Sequence, residues 1–411
     1  MTPPRPRHAP LSQFAVVDDC LQIGGMPLTR LAQRVGATPF YAVERYSLAS
    51  RIASLRSHLP ADVQLHYAMK ANPMPAIVQF MATRVDGIDV ASGAELKVAL
   101  DAGMTPEAIN FAGPGKSNQE LGCAIAAGIV INMESAAEME RVARIGQALG
   151  VRPRVAVRVN PDFDLKSSGM IMGGGPKQFG VDAEAVPAML HRLGILALDF
   201  QGFQIYCGSQ NLKAAAIAEA QAKTIALAIR LAAHAPAPVR TLNIGGGFGV
   251  PYFPGDVPLD MAAIGAGLEN LMPQVRQHLP AARIVVELGR YLVAEAGIYV
   301  CRVIERKVSR GEVYLVTDGG LHHHLAATGN FGQVIRKNYP VVIGNRIAGA
   351  AREIVSVVGP LCTPLDLLAD RLEMAVAETG DLVVVLQSGA YGLTASPSGF
   401  LSHPAALEVL V

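Results

Sequence analysis

A chain of 411 residues, 51% hydrophobic and 17% charged, is too long for one ordinary core and too apolar to be disordered. A net charge of +1, no tryptophan and few aromatic residues give no basis for binding nucleic acid or an anionic membrane. Five scattered cysteines without a CxxC pair, no apolar signal segment in MTPPRPRHAP and no long apolar run lead us to expect a cytoplasmic protein with no disulfide framework, zinc site or membrane span.

The first strand-like piece is AVVDDCLQIGG. Near residue 63 a regular alternation begins. Eight candidate strands follow: residues 63–69, 87–92, 108–112, 129–133, 154–160, 198–206, 241–247 and 283–289. Helical stretches such as GAELKVALDAG and SAAEMERVARIGQALG separate them. Strands that alternate with helices pair in parallel through crossovers, and eight such units predict a (β/α)8 barrel. A doubly wound open sheet is the alternative. After residue 291 the segments IYVCRVIERKVSR, EVYLVTDGG, EIVSVVGPLC and DLVVVLQSG read as strands with short turns. The expected organisation is an N-terminal segment 1–35 that joins a β-domain, a barrel over 36–290, and a C-terminal β-sandwich or β-barrel domain over 291–411.

Active sites of βα barrels collect at the C-terminal strand ends. Those ends carry Lys70, Asp89, Asn160, Tyr206, Gly245 to Gly247 and Glu287. Lys70 lies in an apolar run, YAMKANPMP, where burial would lower the ammonium pKa as Schiff-base chemistry requires; a solvated charge is the plainer reading. The glycines of IGGGFG allow backbone N–H groups to approach a phosphate, although tight turns use glycine too. Glu287 is either an ion-pair partner or a functional carboxylate. Arg290 either binds an anion or makes a surface salt bridge.

These motifs resemble, through nearly the whole chain, the fold-type III pyridoxal-phosphate (PLP) decarboxylases, the group of diaminopimelate, ornithine and arginine decarboxylases. YAMKAN resembles the family's Schiff-base lysine motif, NIGGGFG its phosphate loop and VELGRYLVAEAG its glutamate–arginine motif. GIDVASGAELKVAL, FAGPGKSNQEL, INMESAAEMERV and VRVNPDFD with PKQFGVD match successive barrel blocks. GPLCTPLD resembles the cysteine loop that the family inserts into the partner subunit's site, and SGAYG supplies Tyr391. The resemblance implies an alanine-racemase-like PLP-binding barrel and a homodimer with shared active sites. It implies Lys70 as the Schiff-base lysine, Glu287 against the pyridine nitrogen, and Ser209, Gly246, Gly247, Arg290 and Tyr391 around the phosphate. Asp89 would support the lysine, and Cys362 would return the proton after carbon dioxide leaves.

Three departures from the family pattern bear on substrate. Tyr206 stands where the family usually has a ring-stacking histidine. Thr363 and Asp366 occupy the loop after Cys362, and Thr363 replaces the acid that holds a substrate's distal ammonium. The segment GGLHHHLAATGNFGQVIRKNYPV, with His322 to His324, replaces a shorter loop and offers Arg336 as a contact for an anionic substrate tail. Three adjacent histidines rarely face one ion, so no metal site is expected. The last two features resemble a side branch associated with exopolysaccharide export and carrier-linked biosynthesis. The expected substrate is therefore a small amino acid or amino-acyl group, free or presented by a carrier protein, and not free diaminopimelate or ornithine. A PLP-dependent racemase and a non-catalytic PLP-binding regulator are the alternatives. Glu287 argues against the first, because racemases of this fold meet the ring nitrogen with arginine.

Overall fold

The computed structural model describes residues 7–10, 12–164, 170–331, 333, 336–349 and 351–411. The first six residues of the proline-rich N-terminus and residues 332, 334 and 335 of the histidine-bearing segment lie outside the described residues. The chain divides into two compact units. One comprises Ile52–Val250 and Leu259–Gly289; the other comprises Met1–Arg51, Pro251–Pro258 and Arg290–Val411.

The first unit is the expected barrel. Its strands are β1 (Gln64–Ala68), β2 (Gly87–Val90), β3 (Ile109–Phe111), β4 (Val130–Met133), β5 (Arg154–Asn160), β6 (Asp199–Ile205), β7 (Thr241–Gly246) and β8 (Arg283–Leu288). All neighbouring pairs are parallel, and β8 pairs with β1 to close the ring. The strands read as near-continuous apolar runs because helices cover their outer face and side chains fill the interior.

Local sequence fixes where the helices begin. Ser92, Ser117 and Ser135 each accept a hydrogen bond from the backbone N–H three residues on, at the starts of Gly93–Asp101, Asn118–Ala127 and Ala136–Leu149. Each such cap stabilises its helix by about 1 kcal/mol. Glu120 returns the bond to Ser117, completing a capping box. Register shifts occur at Gly202 in β6 and between Asn243 and Gly246 in β7. A Cβ on Gly202 would lie 1.8 Å from the Thr241 carbonyl oxygen, so only glycine fits that bend.

The second unit is built on a mixed eight-stranded sheet. Gly297–Ser309 is its longest strand and pairs antiparallel with Glu312–Thr317, Leu382–Val385 and Phe40–Val43. Phe40–Val43 also pairs in parallel with the C-terminal strand Leu407–Leu410. Leu21, Ile23, Leu28 and Leu31 pack with Phe40, Ile298, Val300 and Val384 in one apolar core. Residues 40–43, expected within the barrel, thus lie in this sheet. Their run FYAV is buried throughout, as a central strand requires. Among the described residues no helix is long and apolar enough to cross a membrane.

Candidate active site

The C-terminal ends of the barrel strands bring together most of the residues singled out by sequence. Lys70 sits in a single 3-10 turn, Met69–Ala71, directly after β1. That turn corrects one expectation. Met69 and Ala71 are buried, but Lys70 between them is exposed, because successive side chains of a 3-10 turn point about 120° apart. The apolar surroundings in sequence belong to its neighbours. Lys70 Nζ lies 5.5 Å from the centre of the Tyr206 ring. Gly245, at φ 71°, makes space for that ring: a Cβ there would stand 3.1 Å from Tyr206 Cδ2.

Glu287 closes β8 and is 5% exposed. The Gln204 Nε2 donates to its Oε2 at 2.7 Å and the Asn243 Nδ2 at 3.2 Å. Burial, and then the nearby Asp89 carboxylate, raise its pKa; Lys70, the Gln204 hydrogen bond and Arg158 oppose that rise. Gln204 and Asn243 were not singled out from sequence. Both are polar residues inside otherwise apolar parallel strands, and that signal was available in LDFQGFQIY and TLNIGGG. Arg158, also missed, pairs with Glu134 at 2.8 Å and stacks 4.8 Å from the Phe179 ring. Glu95 joins the same mouth: partial burial raises its pKa, while the Ala91 N–H and Lys70 lower it.

On the opposite side, β7 leaves its ladder into the glycine run. Gly247 has φ 73°, and a Cβ on it would meet the Gly208 carbonyl oxygen at 2.0 Å. A Cβ on Gly246 would meet the Glu287 carbonyl oxygen at 2.2 Å. The Asn211 N–H donates to the Gly247 carbonyl, so the run is packed directly against Gly208 and Ser209. The Ser209 hydroxyl, both Asp89 carboxylate oxygens and the Gln204 Oε1 are buried with no hydrogen-bond partner. Buried polar atoms without partners cost about 1–3 kcal/mol each unless a ligand meets them. An aromatic aldehyde phosphate fits this set: a lysine amine, a buried carboxylate, a face-on aromatic ring, and a hydroxyl beside a glycine run.

The second unit holds the other predicted residues in two groups. Arg290 donates to the Tyr252 hydroxyl at 3.3 Å and lies 4.6 Å from the Tyr391 ring, with Tyr391 itself at φ 52°. The cysteine loop holds the second group. Cys362 is exposed and Thr363 half-buried. Asp366 and Arg336, expected to touch substrate, bond loop backbone in this structure. Asp366 is 3% exposed and accepts from the Leu321 N–H at 2.6 Å and the Leu361 N–H at 2.8 Å. Arg336 donates to the carbonyls of Thr328, at 2.9 Å, and Leu367. Each therefore ties loop backbones together, and charge in the sequence could not distinguish that role from ligand binding.

The histidine run is buried, the His322 and His323 rings packing with their centroids 3.7 Å apart. His323 reaches the Pro404 carbonyl at 2.7 Å and His324 the Ser388 hydroxyl at 2.9 Å. Among the described residues no three potential metal-ligating side chains converge. Both ring nitrogens of His322 lack a partner. Burial, then His323 and His403, push its pKa down to about 4, and burial pushes His324 to about 3. Between the ordinary histidine pKa of 6.5 and these values, the unfolded chain takes up protons that the folded chain refuses. Stability present above pH 6.5 is therefore lost as pH falls towards 4. Urea unfolding at pH 7 and pH 4.5 should show the drop, and His322→Phe should reduce it. An equal drop in the variant would contradict the assignment.

The family model for the pyridoxal binding domain of pyridoxal-dependent decarboxylases matches residues 45–294. The chain belongs to this family. Its cofactor is accordingly pyridoxal phosphate. The chain is 37% identical to an L-glutamyl-[BtrI acyl-carrier protein] decarboxylase from Niallia circulans, over 93% of this chain and 90% of the relative. It is 33% identical to a diaminopimelate decarboxylase from Aquifex aeolicus, over 96% and 91%. The crystal structure of Helicobacter pylori diaminopimelate decarboxylase complexed with L-lysine superposes with a TM-score of 0.83 at 26% identity, over 93% and 94%.

Proposed function

We propose that this PLP-dependent decarboxylase acts on an amino acid whose far end is acylated or uncharged, with Lys70 as the residue that holds the cofactor. The observation that carries the reading is the buried Glu287, held by Gln204 and Asn243 in the same barrel mouth as Lys70. Bound pyridoxal phosphate supplies an electron sink for the pair left on the α-carbon when carbon dioxide departs. Glu287 favours a proton on the ring nitrogen and so deepens that sink. A racemase works with a weaker sink, for which a cation rather than a carboxylate is suited. Tyr206 would cover one face of the cofactor ring. Ser209, Gly246 and Gly247 would hold the phosphate, with Arg290 and Tyr391 as the cation and hydroxyl assigned to it. The Lys70 amine would also be placed to move a proton.

Cys362, an exposed thiol on a loop anchored by Asp366, is assigned the return of a proton to the substrate carbon. We assign that loop to the partner's barrel in a homodimer, working in the cytoplasm. Thr363 supports the substrate class. A substrate's distal ammonium facing Thr363 in place of an acid forfeits a charge-assisted hydrogen bond of roughly 1.5–3 kcal/mol, about 10- to 150-fold in kcat/KM. The carrier-protein relative supports the other half of the reading, an aminoacyl group presented on a carrier. Free diaminopimelate, ornithine and lysine should thus be turned over at least about 10-fold less efficiently than glutamate linked to an acyl-carrier protein. Steady-state kinetics on these four substrates test it, and efficient turnover of any free diamine would sink the assignment.

A further inference from the structure

Three neighbouring barrel strands carry buried polar residues: His66 on β1, Asp89 on β2 and Asn110 on β3. All three are 9% exposed or less. In the register His66 lies opposite Gly87 and Asp89 opposite Asn110. A Cβ on Gly87 would stand 2.5 Å from His66 Cε1 and Nε2, so this glycine lets the imidazole lie across β2. There Nδ1 comes within 3.5 Å of Asp89 Oδ2 and 3.1 Å of the Asn110 amide nitrogen. Asp89 has no hydrogen-bond partner on either oxygen. A buried carboxylate without donors is strongly disfavoured, and Nδ1, 3.5 Å away, can donate to it in the tautomer that carries its proton there.

We infer that His66 is a positioning residue for the cofactor site, donating from Nδ1 to Asp89 and thereby fixing both the orientation and the negative charge of that carboxylate. A half-turn of the Asn110 amide presents its oxygen to the same N–H. The role rests on the reading that Asp89 faces the cofactor. Asp89 in turn acts on Glu287, whose pKa its charge raises. The charged groups around this chain of contacts are Lys70, Glu287 and Arg158 on the mouth side. On the other side His66 and Asn110 line a cavity of about 590 Å³ at the foot of the barrel, bordered by Asp86, Glu107, Arg154, Arg240 and Arg283. His66 thus spans from a polar cavity at the foot to a carboxylate at the mouth.

Two measurements on the full-length protein test this. In the first, nitrogen NMR of histidine-labelled protein reads the His66 ring. We expect a protonated Nδ1 that loses its proton in Asp89→Asn. In the second, the visible band of bound cofactor is titrated with pH. His66→Leu removes the donor that holds the Asp89 carboxylate in place, and with it part of the negative field that stabilises the protonated cofactor. The midpoint should fall by about one pH unit. His66→Asn restores a donor near the Nδ1 position and should return the midpoint to within about 0.3 unit. A bare Nδ1 in the parent protein, an unmoved midpoint in His66→Leu, or equal shifts in both variants would overturn the inference. No cofactor band in the parent protein would overturn the cofactor reading of the site, while the NMR measurement would still decide the His66–Asp89 pair.

Discussion

Lys70→Ala should abolish the visible absorbance of bound cofactor and lower decarboxylation by at least about 10³-fold, with the thermal midpoint of the cofactor-free protein unchanged. Two functions are lost together: covalent attachment of the aldehyde and the amine that moves a proton, the latter alone worth about 10²–10⁴-fold. The side chain is exposed, so its removal opens no cavity and leaves no buried partner unsatisfied. Exposed substitutions of that kind change stability by about 0.5 kcal/mol or less. Lys70→Arg should fail equally, because a guanidinium keeps its charge yet stays protonated and cannot condense with an aldehyde. Absorbance scans and carbon dioxide release on the same preparations check both variants. A retained band with retained turnover in either would remove Lys70 from its assigned role.

Glu287→Gln should keep the cofactor bound and lower kcat by about 10²–10³, with KM changed only a few-fold. A preorganised charge aimed at developing charge is typically worth that much, and glutamine preserves shape while removing the charge. The amide oxygen of the variant can still accept from Gln204 and Asn243. Glu287→Ala is the less informative change. It would strand two buried amide donors, at about 1–3 kcal/mol each, and mix lost chemistry with lost stability. Stopped-flow and steady-state kinetics on Glu287→Gln give the comparison. A variant with parental kcat would show that the carboxylate only braces the barrel.

Much of the barrel was legible in sequence because its logic is periodic. Apolar strand runs alternate with helices, serines cap three of those helices, and the glycine run follows β7 where the chain turns over Gly208. The positions of Lys70, Tyr206 and Glu287 at strand ends follow from the same periodicity. What sequence could not show is direction. Lys70 sits among apolar residues, yet one 3-10 turn leaves it exposed at the barrel mouth. Asp366 and Arg336 look like substrate contacts by charge, yet each is spent on loop backbone that only tertiary structure brings near. Residues 40–43 fall inside the stretch assigned to the barrel, but their hydrogen-bonding edges are taken by Gly297–Ser309 and Leu407–Leu410. The missed residues share a mark: Gln204, Asn243, His66 and Asn110 are single polar residues inside buried strands. Such a residue costs stability unless it is hydrogen-bonded or meets a ligand, so it points to a site as surely as a motif does.

The most direct test of the central claim is carbon dioxide release by cofactor-loaded protein from glutamate linked to an acyl-carrier protein, beside a panel of free amino acids. The account predicts release from the carrier-linked substrate, loss of it in Lys70→Ala, and weak release from the free diamines. Full release in Lys70→Ala, or no release from any substrate by protein that shows the bound-cofactor band, would contradict it.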